Sequence, residues 1–381
     1  MSRVRRGNSG LDAAVRVGII GCGDVSAAYL GTLRGDRGVD VVALADRHPE
    51  RARARAEEFG VAWHGSPEQL LSREDIELVL NLTTPASHRT VSADILLAGK
   101  HLWSEKPLAT TASDARELLA LAAAGGVTIG CAPDTALAAG VRSAVGALEA
   151  GVIGRVESLV TVAASGGPDR WHPRPEFLFA AGGGPVLDIG PYYLTVMLMM
   201  FGDVDEVAAS GRRRHHSRTI AVGDRAGESF DVQVWTDVTA EIRFTSGLRA
   251  RSRFSFDSDT DEQRFEVNGS NGVLSVPIDG FTGQAMVRGT RPQSAWAPLR
   301  GVAIEPGPAA SGRGSGVVEQ AAALRAGREP LLNGGLAARV LEVLEAIVRS
   351  ADAGAAPVST TSPAAHEDRG SRGQRVSFPW L

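Results

Sequence analysis

VRVGIIGCGDVSAAYL, residues 15–30, passes from an apolar β run through a glycine pair into a helical pattern within three residues. The turn reads GxGxxS, with Gly21, Gly23 and Ser26. The first glycine permits the tight turn, the second removes a Cβ where a pyrophosphate would approach the backbone, and small Ser26 lets the helix lie close to the strand. The N–H groups opening that helix, at Asp24 and Val25, and its positive end then face the phosphates. A lone glycine motif is weak, but strand, helix and a following acid are all in place here. The acid is Asp46, closing VDVVALAD 23 residues after Gly23. Its carboxylate accepts both adenosine ribose hydroxyls and repels a 2′-phosphate, which favours NAD; Arg47 beside it can pair with that phosphate and leaves NADP open.

From residue 15 to about 132, short apolar strands alternate with helical segments: SAAYLGTLR, VDVVALAD, PERARARAEEFG, IELVLNLTT, SHRTVSADILLAGK, HLWSEK, TASDARELLALAAAGG and VTIGCAP. This order predicts a doubly wound parallel sheet, an α/β Rossmann domain. Pro49 suits a first helical turn, Gly60 and Gly99 suit C-terminal caps, and Thr111 with Asp114 suits an N-terminal cap. After one more helix, 138–151, the period changes to two: RVESLVTVAAS, EVAASGRRR, SFDVQVWTDVTAEIRF, LRARSRFSFDS, QRFEVNGSNGVLSVP and QAMVRG predict a mainly antiparallel sheet with one covered face. Helical periodicity returns at VVEQAAALRAG and LAARVLEVLEAIVRSADAG, expected to pack back on the body. The expected organisation is an extension over 1–14, a dinucleotide-binding domain over 15–135, an α+β substrate and oligomerisation domain over 136–355, and a tail over 356–381. Residues 291–316 read as a long loop.

The 381 residues are 43% hydrophobic and 22% charged, as in globular enzymes, and 40 basic against 44 acidic residues give a formal charge of -4. No field draws the chain to nucleic acid or an anionic membrane. Two cysteines, Cys22 and Cys131, without a CxxC suggest neither a disulfide framework nor a zinc site, and no metal is expected. Residues 1–14 lack the apolar centre of a secretory signal, and VLDIGPYYLTVMLMMF is interrupted by Asp188, Gly190 and Pro191, so a cytoplasmic protein is expected.

In such a sheet, ligands lie outside the carboxyl ends of the strands. Those ends offer Thr83, Thr84 and Pro85 with His88 beyond, then Glu105 and Lys106, all candidate cofactor contacts, and then Asp134, a candidate substrate contact. A lysine there can orient a substrate hydroxyl or shuttle its proton, since burial lowers its pKa toward neutrality; the bland alternative is a surface lysine paired to Glu105.

SEKPLATTASDA, followed downstream by GVIG at 151–154 and by GGGPVLDIGPYYLT, resembles the Gfo/Idh/MocA family of oxidoreductases, from about residue 15 to 355. The resemblance implies a C-terminal domain on a large open antiparallel sheet whose exposed face makes the contacts of a homodimer or homotetramer. It implies that Lys106 is the active-site lysine of the EKP turn and Asp188 the acid of the second motif. Many members carry a proton-transferring histidine four residues after that acid; here the position is Tyr192, as in some branches. Tyr192 with Lys106 can form a working pair, with Asp188 tuning it, or Tyr192 only shapes the pocket. Tyr193 is not expected to face the same site.

RWHPRPEFLFAAGGG, just upstream, is expected to form the lip of a substrate cleft, with Trp171 and Phe177 stacking on a sugar or cyclitol ring and His172 and Arg174 reaching its hydroxyls. RRRHHSR, 212–218, reads as a solvated hairpin end, or else as a clamp for a phosphorylated or nucleotide-linked sugar. The whole reads as an NAD(P)-dependent oxidoreductase acting on a secondary alcohol or ketone of a sugar, cyclitol or related polyol. Two other readings stay open: a non-catalytic dinucleotide-binding regulator, and a redox-neutral NAD-dependent glycosidase.

Overall fold

Where the apolar run Val15–Ile20 forms strand β1, five of its six residues are buried, because a parallel strand is covered on both faces. A computed structural model describes residues 13–278, 280–289, 301–304 and 312–360. The chain divides into two compact units, one holding residues up to 134 together with 310–338, the other 135–309 and the remainder from 339.

In the first unit β1 is followed by α1 (Asp24–Leu33), β2 (Val39–Ala45), α2 (Pro49–Phe59), β3 (His64–Gly65), α3 (Pro67–Leu71), β4 (Leu78–Asn81), α4 (Pro85–Leu97), β5 (His101–Ser104), α5 (Ala112–Gly125) and β6 (Ile129–Cys131). Among the described residues the sheet has six strands in the order β3-β2-β1-β4-β5-β6, all parallel. The order reverses between β1 and β4, which opens a crevice beyond the carboxyl end of β1. The expected punctuation is present. Pro49 opens α2, Gly60 closes it in the left-handed conformation (φ 69°), and Thr111 caps α5 by accepting the Asp114 N–H at 3.1 Å. Strand β3 and helix α3 were not expected; two residues of strand are too few for any periodic signal, although Ser66 and Gln69 form a capping box.

The second unit begins with α6 (Ala139–Glu149), β7 (Val156–Ala164), α7 (Glu176–Phe179), α8 (Pro185–Phe201), β8 (Val204–Arg212), β9 (Ser217–Thr219), β10 (Ser229–Asp231), β11 (Asp237–Phe244), β12 (Arg249–Ser255), β13 (Glu262–Gly269), β14 (Gly272–Ser275), β15 (Met286–Gly289) and β16 (Gly301–Ala303). Helices α9 (Ser315–Ala326) and α10 (Gly334–Asp352) and strand β17 (Val358–Ser359) follow. Among the described residues the large sheet has nine strands, β16-β15-β14-β13-β7-β12-β11-β8-β17, antiparallel except for the parallel pair β7–β12. Strict alternation in β11, Val238, Ala240, Ile242 and Phe244 inward, leaves one face covered.

Three expectations are corrected. SFDVQVWTDVTAEIRF is two strands, β10 pairing with β9 in a separate ribbon and β11 in the large sheet. Residues 312–338 belong to the first unit, not the second: Gly316 of α9 lies against the Trp103 ring, so closely that a Cβ would stand 2.0 Å from it, and Gln320 donates to Leu102 O at 3.1 Å. The tail contributes β17, which pairs with β8, while 361–381 lie outside the described residues. Of the expected loop 291–316, residues 301–303 form β16; 291–300 and 305–311 also lie outside the described residues.

Candidate active site

The two glycines of the opening turn answer to different constraints. Gly21 has φ 102°, and a Cβ on it would stand 2.6 Å from the Leu82 carbonyl carbon, so the protein itself requires glycine there. Gly23 has an ordinary φ of -73°, and nothing of the chain lies within 4 Å of where its Cβ would be. The absent side chain leaves room for a group that is not part of the protein. The Gly23 carbonyl is turned away from that space: it accepts from Ser26 Oγ at 2.6 Å, Ser26 N at 3.1 Å and Arg55 Nη2 at 3.3 Å. A planar peptide then directs the Asp24 N–H the opposite way, and the N–H groups of Asp24 and Val25 stand at a helix start with no preceding turn to bond them. Backbone donors, not the exposed Asp24 carboxylate, make this an anion site.

Asp46 is buried, its Oδ2 accepting Cys22 N–H at 2.8 Å and its Oδ1 accepting His48 N–H at 2.9 Å, which fixes the carboxylate beside the turn. Arg47 is exposed and directs its Nε at His48. Burial foremost, with the Asp46 charge, pushes the Cys22 thiol up to about 12, so it packs as a small apolar residue. Room at Gly23, free helix-start donors and a fixed ribose-side carboxylate fit a dinucleotide.

Along the same sheet edge, Thr83 donates to Asn81 Oδ1 at 2.6 Å, while Thr84 and Pro85 are exposed at the start of α4. His88 does not face that edge: it is buried, with Nδ1 at 2.6 Å from Pro107 O and Nε2 at 3.0 Å from Thr83 O, tying two strand ends together. Glu105 is likewise turned inward. Its Oε1 accepts Tyr29 Oη at 2.9 Å and Arg313 Nη1 at 3.2 Å, and its Oε2 accepts the Lys106 backbone N–H at 2.9 Å. Lys106 follows directly, half-buried, two strand positions from β1 and so about 10 Å along the edge. Asp134, expected to touch substrate, is 3% exposed and accepts Gly314 N–H at 3.2 Å and Gly316 N–H at 2.5 Å. Burial pushes its carboxyl up to about 6 against the pull of those donors. It anchors the 312–316 turn.

In the second unit, Gly182 and Gly184 adopt φ of 85° and 96°, and a Cβ on Gly183 would meet Leu178 O at 2.6 Å, so the glycine run is required by the turn that launches α8. Asp188 lies in the first turn of α8 and Tyr192 one turn later on the same face, both half-buried. Tyr193 points into the core, donating to Val162 O at 2.9 Å. Upstream, Trp171 is 65% and Phe177 55% exposed, with His172 between them, its ring edge-on to both at 5.6 and 5.5 Å. Arg174 N–H donates to His172 Nδ1 at 3.0 Å, so in the neutral ring it is Nε2 that carries the hydrogen.

Sequence reasoning missed Arg218. The rest of RRRHHSR is largely exposed as expected, but the Arg218 side chain is 9% exposed, paired to Asp169 at 2.8 Å and to Asp257, and bonded to Gly166 O and Phe256 O. Its guanidinium lies 5.2 Å over Phe179. It therefore nails down the loop that carries Trp171 and His172. A second unused signal is lysine scarcity: among 40 basic residues only Lys100 and Lys106 are lysines. Lys100 is buried and donates to Arg73 O and Ile76 O. Lys106 stands on the candidate edge.

Residues 15–132 match the family model described as an oxidoreductase family with an NAD-binding Rossmann fold, and 141–275 match the GFO/IDH/MocA C-terminal domain. The chain is 31% identical over 265 residues to a 1,5-anhydro-D-fructose reductase of Ensifer adhaerens, spanning 68% of this chain and 74% of that protein. It is 28% identical over 353 residues to a D-apiose dehydrogenase of Paraburkholderia graminis, spanning 88% and 87%. In fold it is similar to an NAD-binding oxidoreductase from Klebsiella pneumoniae (TM-score 0.80, 20% identity, 92% of this chain and 100% of that one). A levoglucosan dehydrogenase solved with NADH and L-sorbose gives a TM-score of 0.76 at 21% identity, over 91% and 99%. The chain belongs to the Gfo/Idh/MocA family, and it is an NAD-binding oxidoreductase.

Proposed function

We propose that this oxidoreductase interconverts a secondary alcohol and the matching ketone on a sugar, cyclitol or related polyol, with Lys106 transferring the hydroxyl proton. The observation that carries the reading is Lys106 itself, one of two lysines in a chain otherwise supplied with arginine, at the carboxyl edge two strands from the glycine turn. A guanidinium cannot give up its proton near neutral pH, whereas an amine can, so a lysine kept here suits proton transfer rather than charge alone. NAD, when bound, supplies the hydride acceptor or its reduced form the donor. Asp46 and the N–H groups of Asp24 and Val25 hold its adenosine and pyrophosphate ends, with Thr83, Thr84 and Pro85 lining the edge between. The fixed Asp46 carboxylate supports NAD over NADP. Asp188 and Tyr192 act with Lys106, on the strength of their shared face of α8 and of the motif that carries them. The exposed Trp171–His172–Phe177 ladder suits the apolar face of a sugar ring, and relatives named for anhydrofructose and apiose favour that class. The open face of the large sheet is proposed to join copies into a dimer or tetramer.

The test follows reduced-nicotinamide absorbance with NAD or NADP against cyclitols, free pyranoses, anhydro sugars and glycosides, with Lys106→Met run alongside. Turnover on a polyol that the substitution removes, with NAD still bound, is the expected result. Full turnover by Lys106→Met would remove the assignment. NAD bound tightly with no turnover on any polyol would contradict the polyol reading.

A further inference from the structure

Glycine at position 23 leaves the turn open to a phosphate, and it also leaves the turn unguarded. Without a Cβ, the Gly23–Asp24 peptide can rotate at little steric cost, and a rotated peptide would present its carbonyl, not its N–H, to an anion. The orientation is therefore set by whatever bonds the Gly23 carbonyl from behind. Ser26, in the first turn of α1, supplies its N–H at 3.1 Å and its Oγ at 2.6 Å. The third donor comes from another element: Arg55 of α2, 32 positions on, reaches the same oxygen with Nη2 at 3.3 Å.

Arg55 is set apart from the other arginines of its helix. Arg51 and Arg53 are exposed, whereas the Arg55 side chain is only 16% exposed. Its Nη1 pairs with Glu58 at 2.7 Å, but Glu58 is 55% exposed, so water screens that carboxylate. The buried Nε has no acceptor among the described residues. The charge reaches the turn: burial, and then Asp46, raise the Cys22 thiol, while Arg55 pulls it the other way. Donors on a peptide carbonyl polarise the N–H across the peptide, and an ionised donor does so more strongly than a neutral one. Of the three donors on the Gly23 carbonyl, Arg55 alone carries a charge.

We propose that Arg55 is a positioning residue for the cofactor: it holds the Gly23–Asp24 peptide with its N–H toward the pyrophosphate, and it sets a positive charge behind that peptide. Its effect falls on the phosphates of the dinucleotide and not on the adenosine, which the Asp46 carboxylate holds. This rests on the reading of the Gly23 turn as the pyrophosphate cradle.

The test compares ligands with and without phosphate. NAD, ADP and adenosine compete against bound NADH, read by its fluorescence at low ionic strength, where such a charge is least screened. Arg55→Met is expected to weaken NAD and ADP about threefold to tenfold and to leave adenosine within about twofold of the parent. Glu58→Gln, at an exposed position where folding is not at stake, removes the opposing charge and is expected to bind NAD and ADP about twofold tighter. A merely structural tie between α2 and the turn would weaken adenosine as much as ADP in Arg55→Met, and Glu58→Gln would bind NAD no tighter than the parent. Either result overturns the proposal, as does an Arg55→Met protein that holds NAD and ADP within about twofold of the parent. The two failures are distinguishable. Gly23→Ala binding NAD like the parent removes the cradle itself, whereas weakened binding in Gly23→Ala beside unaltered binding in Arg55→Met removes only the role of Arg55.

Discussion

Gly21 and Gly23 stand two residues apart in one motif and should fail in different ways. At Gly21, a positive φ and the Leu82 backbone oppose any side chain, so Gly21→Ala should cost about 1–3 kcal/mol of folding stability. At Gly23 the backbone is ordinary and the space is open, so Gly23→Ala should stay within about 1 kcal/mol of the parent in urea. It should nevertheless weaken NAD binding about tenfold or more, since the new methyl fills the space left for the pyrophosphate. Calorimetric NAD titration and urea unfolding on both variants check the pair; a Gly23→Ala protein that binds NAD normally would remove the cradle. Arg218 poses a second residue-scale test. Arg218→Met leaves the Asp169 and Asp257 carboxylates buried without their cation, which should cost about 3–5 kcal/mol by urea unfolding. A loss below about 1 kcal/mol would show that the loop bearing Trp171 does not depend on it.

At the scale of elements, the 312–316 turn and α9 are held to the first unit by a buried acid and a missing side chain. The Asp134 carboxyl, pushed up to about 6 from the ordinary 3.8, binds its proton more tightly in the folded chain than in the unfolded one. Between those two values the native state holds the extra proton, so this group's contribution to stability falls as pH rises from about 4 to about 6 and is flat outside that window. The gap corresponds to about 3 kcal/mol. Asp134→Asn should remove that slope from the difference between urea-derived stabilities across the window; parallel curves for the two proteins would contradict it. Gly316→Ala, which drives a methyl into the Trp103 ring, should cost about 1–3 kcal/mol. These anchors mark the limit of what the sequence discloses. The glycine turn, the parallel strands and the caps at Gly60 and Thr111 are local, written in periodicity and in backbone conformations that few residues adopt. Glu105 and Asp134 stand in the strand-end positions where ligand contacts belong, and sequence places them among the ligand contacts. Their partners, Arg313 and the amides of Gly314 and Gly316, lie 180 to 208 residues away, and no local pattern reports a bond of that span. Arg218 was illegible for the same reason, its acids being 49 and 39 positions distant.

At the scale of the whole molecule, chain order and unit membership part company. Periodicity finds five of the six strands of the first unit and the long strands of the large sheet, misses the short elements β3, α3 and α7 and the helix α8, and cannot tell that α9, arriving after the large sheet, belongs to the Rossmann unit. That return delivers Arg313 and α9 to the edge where the glycine turn, Thr83 and Lys106 already lie. The family match over 15–132 and 141–275 agrees with this division of labour, one unit for NAD and one carrying the second motif. Among the described residues no helix is long and apolar enough to cross a membrane. The most direct test of Lys106 as a proton-transfer group keeps its charge and removes its chemistry. Lys106→Arg would be measured beside the parent for NAD affinity and for turnover of the best polyol, read by reduced-nicotinamide absorbance. NAD affinity within about twofold of the parent, with turnover down by about a hundredfold or more, is the expected result. Turnover within a few-fold of the parent would show that positive charge alone suffices at this position, and that the proton leaves by another group.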